Sequence, residues 1–81
     1  MSISEKIIEI ISNILNIDKN LITDNINWDN CSEWDSITHI RLILKLESEF
    51  NISIQESDVV QMYSVAQIKN IINKLVRDEH N

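Results

Sequence analysis

The 81-residue sequence predicts an all-α fold, a small four-helix bundle with a long first loop and a short third helix. Three observations lead there. Isoleucine, leucine and valine recur at helical spacing in three separate windows. Each window opens on a good helix-capping residue: Ser2, Asp35 or Ser64. Between the first two windows the period is lost, and asparagine and aspartate take over.

The first helix is expected over residues 2–15, because Ser2 and Glu5 have the spacing of a capping box. Ile3, Ile7, Ile10, Ile11 and Ile14 give it one apolar face, which needs a partner. Ile17 to Glu33 reads as a loop, since Asn and Asp favour turns by bonding to nearby backbone. Leu21, Ile22, Ile26 and Trp28 are the candidates to pin it to the core. Asp35 caps a second helix over 36–50. At about 100° per residue, Leu42, Ile43, Leu46 and Phe50 share one sector, the core stripe. Ile37, Ile40 and Leu44 form another, centred roughly 100 to 150° away by the same geometry. Asn51 ends the helix, and Ile52 and Ile54 cross back over the core. A short helical turn is expected over 57–62. Ser64 and Gln67 make a second capping box, opening a last helix over 64–76 with Val65, Ile68, Ile71, Ile72 and Leu75 on its apolar side. The tail DEHN is expected to fray.

Composition narrows function. One domain, 1–81, fits the length, with a modest core. Thirteen acidic residues against seven basic ones give a net charge of -6, which argues against nucleic acid or an anionic membrane surface as partners. Residues 16 to 35 hold Asp18, Asp24, Asp29, Glu33 and Asp35 against Lys19, so most of the excess precedes position 36. No apolar run approaches the roughly 18 residues of a membrane span. The start MSISEKIIEI lacks the layout of a signal peptide, and one cysteine makes no internal disulfide, so the expected compartment is the cytoplasm. A monomer is expected. Without Gly or Pro, the phosphate-cradling loop, the nucleophile elbow and the dinucleotide fingerprint are all excluded.

Asp35-Ser36-Ile37 then puts a hydroxyl at a helix N-terminus, where the dipole and free backbone N–H groups favour a phosphate ester. The stretch WDNCSEWDSITHIRLILKLESEFNISI, with its Asp-Ser-aliphatic motif, its helix and its E-x-E-F ending at Phe50, resembles the modification site of an acyl carrier protein. The order of elements extends that resemblance from about residue 2 to 76. It implies that Ser36 carries a covalent 4'-phosphopantetheine arm, attached by a phosphopantetheinyl transferase, whose thiol holds acyl groups as thioesters. It implies a carrier rather than an enzyme, serving acyl-loading and acyl-processing enzymes in a lipid, polyketide or related pathway. The partner surface it implies is Ile37, Ile40 and Leu44, rimmed by Asp35 and Glu47. Trp28 takes the place of an aromatic anchor in the first loop.

Three departures accompany the match: Ile37 stands for the commoner leucine, Trp34 for a small residue, and Arg41 and Lys45 occupy a helix that is often strongly acidic. The last leaves residues 36–50 with no net charge. A carrier dedicated to a specialised pathway, exchanging weakly into general fatty acid synthesis, is therefore expected.

Other readings compete. A helical interaction module without a covalent group accounts for the apolar stripe but not for Ser36. An aminoacyl or peptidyl carrier shares the scaffold, though its serine commonly follows a glycine and a variable residue. Ser36 as nucleophile with His39 as base requires a water-poor pocket that a helix surface does not offer. His39 is instead expected at the boundary of core and solvent. Asp24, Asp29, Glu33 and Asp35 lack EF-hand spacing and read as a solvated acidic loop. Cys31 reads as a small apolar loop residue. Trp28 is assigned to the core, and Trp34 is left open.

Overall fold

A computed structural model describes residues 2–79. Four α-helices follow one another: α1 (Ile3–Leu15), α2 (Ser36–Phe50), α3 (Glu56–Val59) and α4 (Val65–Glu79). Among the described residues there is no strand, and the all-α expectation is borne out.

Capping chemistry sets the helix ends. Ser2 stands just outside α1, and its Oγ accepts from the Glu5 N–H at 3.1 Å. Ser64 does the same for α4, accepting from the Gln67 N–H at 3.2 Å. The C-terminal ends are closed without glycine. Asn16 and Asn51 adopt the left-handed conformation at φ 57° and 54°. Asparagine tolerates that region better than other side chains do. One residue on, the Ile17 N–H returns to the Ser12 carbonyl and the Ile52 N–H to the Glu47 carbonyl, each at 3.1 Å. Both isoleucines then fold back onto the core, Ile52 buried and Ile17 partly so.

The core joins Ile7, Ile10, Ile11 and Leu15 of α1 to Leu42, Ile43 and Leu46 of α2 and Val65, Ile68 and Ile72 of α4. Burying such a side chain is worth roughly 1.5–3 kcal/mol, so the apolar stripes of these three helices dominate the stability. Phe50 shares the α2 stripe but ends the helix. It is only partly buried, with the Lys6 ammonium 5.6 Å above its ring.

The first loop is more ordered than its sequence suggests. Asp18 caps a single 3₁₀ turn, Lys19–Leu21. Asn27 Oδ1 accepts from the Asp29 and Asn30 N–H groups, and Asn30 Oδ1 in turn accepts from the Asn27 N–H at 2.9 Å. These asparagines supply the turns that glycine and proline usually provide. The loop is tied to the segment before α4: Val65 N–H donates to the Ile26 carbonyl at 2.9 Å and Trp28 N–H to the Tyr63 carbonyl at 3.2 Å. Lys69 reaches Asp24 at 2.7 Å.

Several expectations are corrected. Leu21 does not pin the loop, being 67% exposed, whereas Ile22 is buried and Ile26 partly so. The short helix occupies Glu56–Val59, and the chain then turns to bury Met62 completely. The last helix runs to Glu79, past the expected end at 76, because nothing in its sequence breaks it. Asp78 and Glu79 thus belong to α4 rather than to a frayed tail, whose other two positions, 80 and 81, lie outside the described residues.

Candidate functional site

Ser36 is the first residue of α2 and is exposed. Its position is held from one side by Asp35, whose Oδ1 accepts from the Thr38 N–H at 2.8 Å. The His39 N–H reaches the Asp35 carbonyl at 2.9 Å, which opens the helix ladder. The hydrogen bond from Thr38 holds the Asp35 carboxyl below its ordinary range, so the cap is anionic at neutral pH.

That shift has a measurable sign. A carboxyl whose folded pKa is lowered adds stability that is complete above its unfolded value and is lost as pH falls through the folded one. Asp35→Asn keeps a capping oxygen and removes the charge. The variant should therefore be less stable than the parent at neutral pH, and the gap should close as pH drops below the ordinary aspartate range. Denaturant midpoints measured for both proteins across that range check it; a gap independent of pH would show that the charge contributes nothing.

From the other side Ser36 borders an open cleft of about 480 Å³, lined by Trp28, Trp34, Asp35, Ser36, His39 and Ile40. Here the tryptophan assigned to the core is not the one that is buried. Trp34 is buried at 3% exposure, and Trp28, assigned to the core, is 41% exposed. Trp34 sits just before the capping aspartate, where the chain turns inward. Trp28 lies edge-on to His39 at 5.4 Å and tilted against Tyr63 at 5.9 Å, closing the cleft wall from outside.

His39 is also corrected: it is buried rather than at the boundary. Its Nδ1 accepts from the Trp34 Nε1–H at 3.0 Å. An indole N–H only donates, so Nδ1 is unprotonated and the ring proton is on Nε2, which donates to the Val59 carbonyl at 3.0 Å. The imidazole thus bolts the loop before α2 to the end of α3. With both nitrogens engaged, it has none left to take a proton from Ser36. The signal for this was present, since position 39 falls inside the core stripe of α2; a histidine there simply has to find partners for both nitrogens.

The other candidates resolve in the same terms. Burial pushes the Cys31 thiol up, and the Glu33 carboxylate 3.5 Å from its sulfur adds to that, which disfavours the thiolate. Among the described residues no three His, Cys, Asp or Glu side chains are placed to share a metal ion. Ile37, Ile40 and Leu44 lie on the outer face of α2 at 72%, 59% and 59% exposure. Glu47 is half-buried, and its Oε2 accepts from the Ile54 N–H at 2.8 Å, so one of its oxygens fastens the segment after α2. Among the described residues no helix is long and apolar enough to cross a membrane.

The arrangement is an accessible hydroxyl without a base and without an oxyanion hole, beside a helix N-terminus suited to a phosphate. The model of the family described as "Phosphopantetheine attachment site" matches residues 5–72. The acyl carrier protein of Guillardia theta is 32% identical over 74 residues, which cover 91% of each chain. That of Buchnera aphidicola is 33% identical over 72 residues, covering 89% of this chain and 91% of the relative. Among solved structures, a putative acyl carrier protein from Mycobacterium tuberculosis superposes with a TM-score of 0.81 at 29% identity, over 90% of this chain and 97% of the other. The holo acyl carrier protein from Geobacter metallireducens shares the fold, with a TM-score of 0.84 at 19% identity over 98% and 91%. Members of this family are carriers, not enzymes; they bear 4'-phosphopantetheine and work with a phosphopantetheinyl transferase and partner enzymes. By the family model and by its relatives, the chain belongs to the acyl carrier proteins.

Proposed function

We propose that Ser36 is the attachment point of the phosphopantetheine arm and that the carrier serves a specialised lipid, polyketide or related pathway in the cytoplasm. The observation that carries the first half is the exposed Ser36 hydroxyl at the first position of α2, behind the Asp35 cap. The residues fit the group. The α2 N-terminus offers its unpaired amides and positive dipole end to a phosphodiester, and the cleft beside it is open to a long substituent. When bound, the arm supplies the thiol chemistry, and its tether raises the effective concentration of cargo at a docked enzyme. The chain's own part is to hold the hydroxyl outward, to orient it by the cap and to offer a surface that enzymes recognise.

Ile37, Ile40 and Leu44 are that surface. Large aliphatic side chains left exposed in a row beside the site gain from being covered by a partner. Asp35 borders it at the N-terminal end, and Glu47 adds to its rim through the oxygen not bonded to Ile54. The specialised pathway rests on Arg41 and Lys45, which cancel the two acidic side chains of α2.

The test is intact mass after incubation with coenzyme A and a broad-range phosphopantetheinyl transferase. A gain of one phosphopantetheine, located by peptide mapping on Ser36, is expected. An unchanged mass would leave a helical interaction module in its place.

A further inference from the structure

Trp28 is an exposed aromatic ring that the fold holds in place. Its backbone N–H donates to the Tyr63 carbonyl at 3.2 Å, and its ring packs on His39, edge-on at 5.4 Å, and on Tyr63, tilted at 5.9 Å. It nevertheless stays 41% exposed on the wall of the cleft that borders Ser36. Ile40 lines the same cleft and is exposed too. The buried lining residues are Trp34 and His39, whose nitrogens are engaged with each other and with the Val59 carbonyl. The cleft therefore offers ring and aliphatic surface, with the Asp35 carboxylate at the Ser36 end. Its volume of about 480 Å³ lies in the range of small-molecule sites.

We propose that this cleft seats the arm itself: the proximal, dimethyl-bearing half of a phosphopantetheine group esterified on Ser36 lies against Trp28 and Ile40. The inference rests on Ser36 as the attachment point and adds the course the arm takes from it. Ser36 is itself a lining residue, so a group on its oxygen meets the cleft at a high effective concentration, ahead of anything free in solution. Two methyl groups on one carbon suit an exposed indole face and gain from leaving water. The hydroxyl and amide N–H groups of the arm are donors, and a carboxylate is their strong acceptor. Asp35 Oδ1 takes the Thr38 N–H, which leaves Oδ2 for them. A ring held in place in this way sets the direction in which the arm leaves the protein.

The experiment compares the protein before and after complete conversion by the transferase, with intact mass and peptide mapping to establish one group on Ser36. In the converted, isotope-labelled protein, filtered nuclear Overhauser spectra should connect the two arm methyls to the Trp28 ring and to Ile40. Acrylamide quenching of Trp28 emission, taken as the parent less Trp28→Phe, should weaken about twofold on conversion as the open side of the ring is covered. Trp28→Phe keeps an aromatic ring beside Tyr63, and circular dichroism verifies its fold. Absence of the Overhauser contacts, or unchanged quenching, overturns the inference while attachment on Ser36 stands. Contacts from the methyls to Leu46 or Met62 would place the arm between the helices and overturn it as well. A protein that takes up no group, or takes it up elsewhere, overturns the attachment reading first and this one with it.

Discussion

Ser36→Ala is expected to take up no phosphopantetheine under conditions that convert the parent completely, and to keep the parent's helicity and stability. In the proposed attachment the phosphodiester forms on the Ser36 oxygen, so its removal leaves the transferase nothing to modify. Three other serine hydroxyls are engaged with the backbone. Ser2 and Ser64 accept from backbone N–H groups as caps, and Ser12 donates to the Ile17 carbonyl at 2.6 Å. The fold should not notice the change. Ser36 is exposed, the cap depends on Asp35 and Thr38, and alanine is the better helix former, so the stability change should stay within about 0.5 kcal/mol. Intact mass and a denaturant titration on the same preparation read both halves. Modification retained by the alanine variant would move the attachment point elsewhere, whereas a folded and unmodified variant assigns it.

Elements with a period were legible in the sequence because helical spacing and capping residues are local signals. Ser2, Asp35 and Ser64 each cap the helix they were expected to start. Asn51 ends α2, and Asn16 ends α1 by the same left-handed conformation in a chain that has no glycine to offer. What could not be read is what the loop does in three dimensions. Trp28 and Trp34 are equally apolar and both lie outside any periodic window. Only the tie between the loop and the residues before α4 determines which one turns inward. His39 shows a different difficulty. Its phase places it in the core, and its chemistry argues against burial until two specific partners, the Trp34 indole and the Val59 carbonyl, are known. Those partners come from segments 5 and 20 residues away along the chain, and no local rule connects them.

Three features of this site act together through that imidazole. Trp34 fills the space beneath the N-terminus of α2, His39 fixes α2 to α3, and Trp28 closes the outer wall against Tyr63. The result is a packed platform beneath the serine proposed as the attachment point. A flexible arm needs a fixed base if its reach is to be set by its own length, since tethering raises effective concentration only where the geometry allows both contacts.

The core should be most sensitive at Leu46. It is fully buried in the C-terminal half of α2, on the stripe that packs against α1, and Leu46→Ala should cost about 2–5 kcal/mol. A domain of this size holds roughly 5–15 kcal/mol in total, so the variant would be partly unfolded at physiological temperature. The sequence alone gives Phe50 the same weight, because it shares the sector of Leu46. Its place at the last turn changes the outcome: one side of the ring stays in contact with solvent and with the Lys6 ammonium. Phe50→Ala should cost about 1–2 kcal/mol, as expected when only part of the apolar area is lost to water. Paired urea titrations of the two variants decide the matter. A larger loss at Phe50 than at Leu46 would mean that the α1–α2 contact is centred one turn nearer the C-terminus. The outward stripe of Ile37, Ile40 and Leu44 would then have to rotate with it. Equal slopes with separated midpoints would confirm that both proteins unfold from the same compact state, and that the difference lies in packing alone.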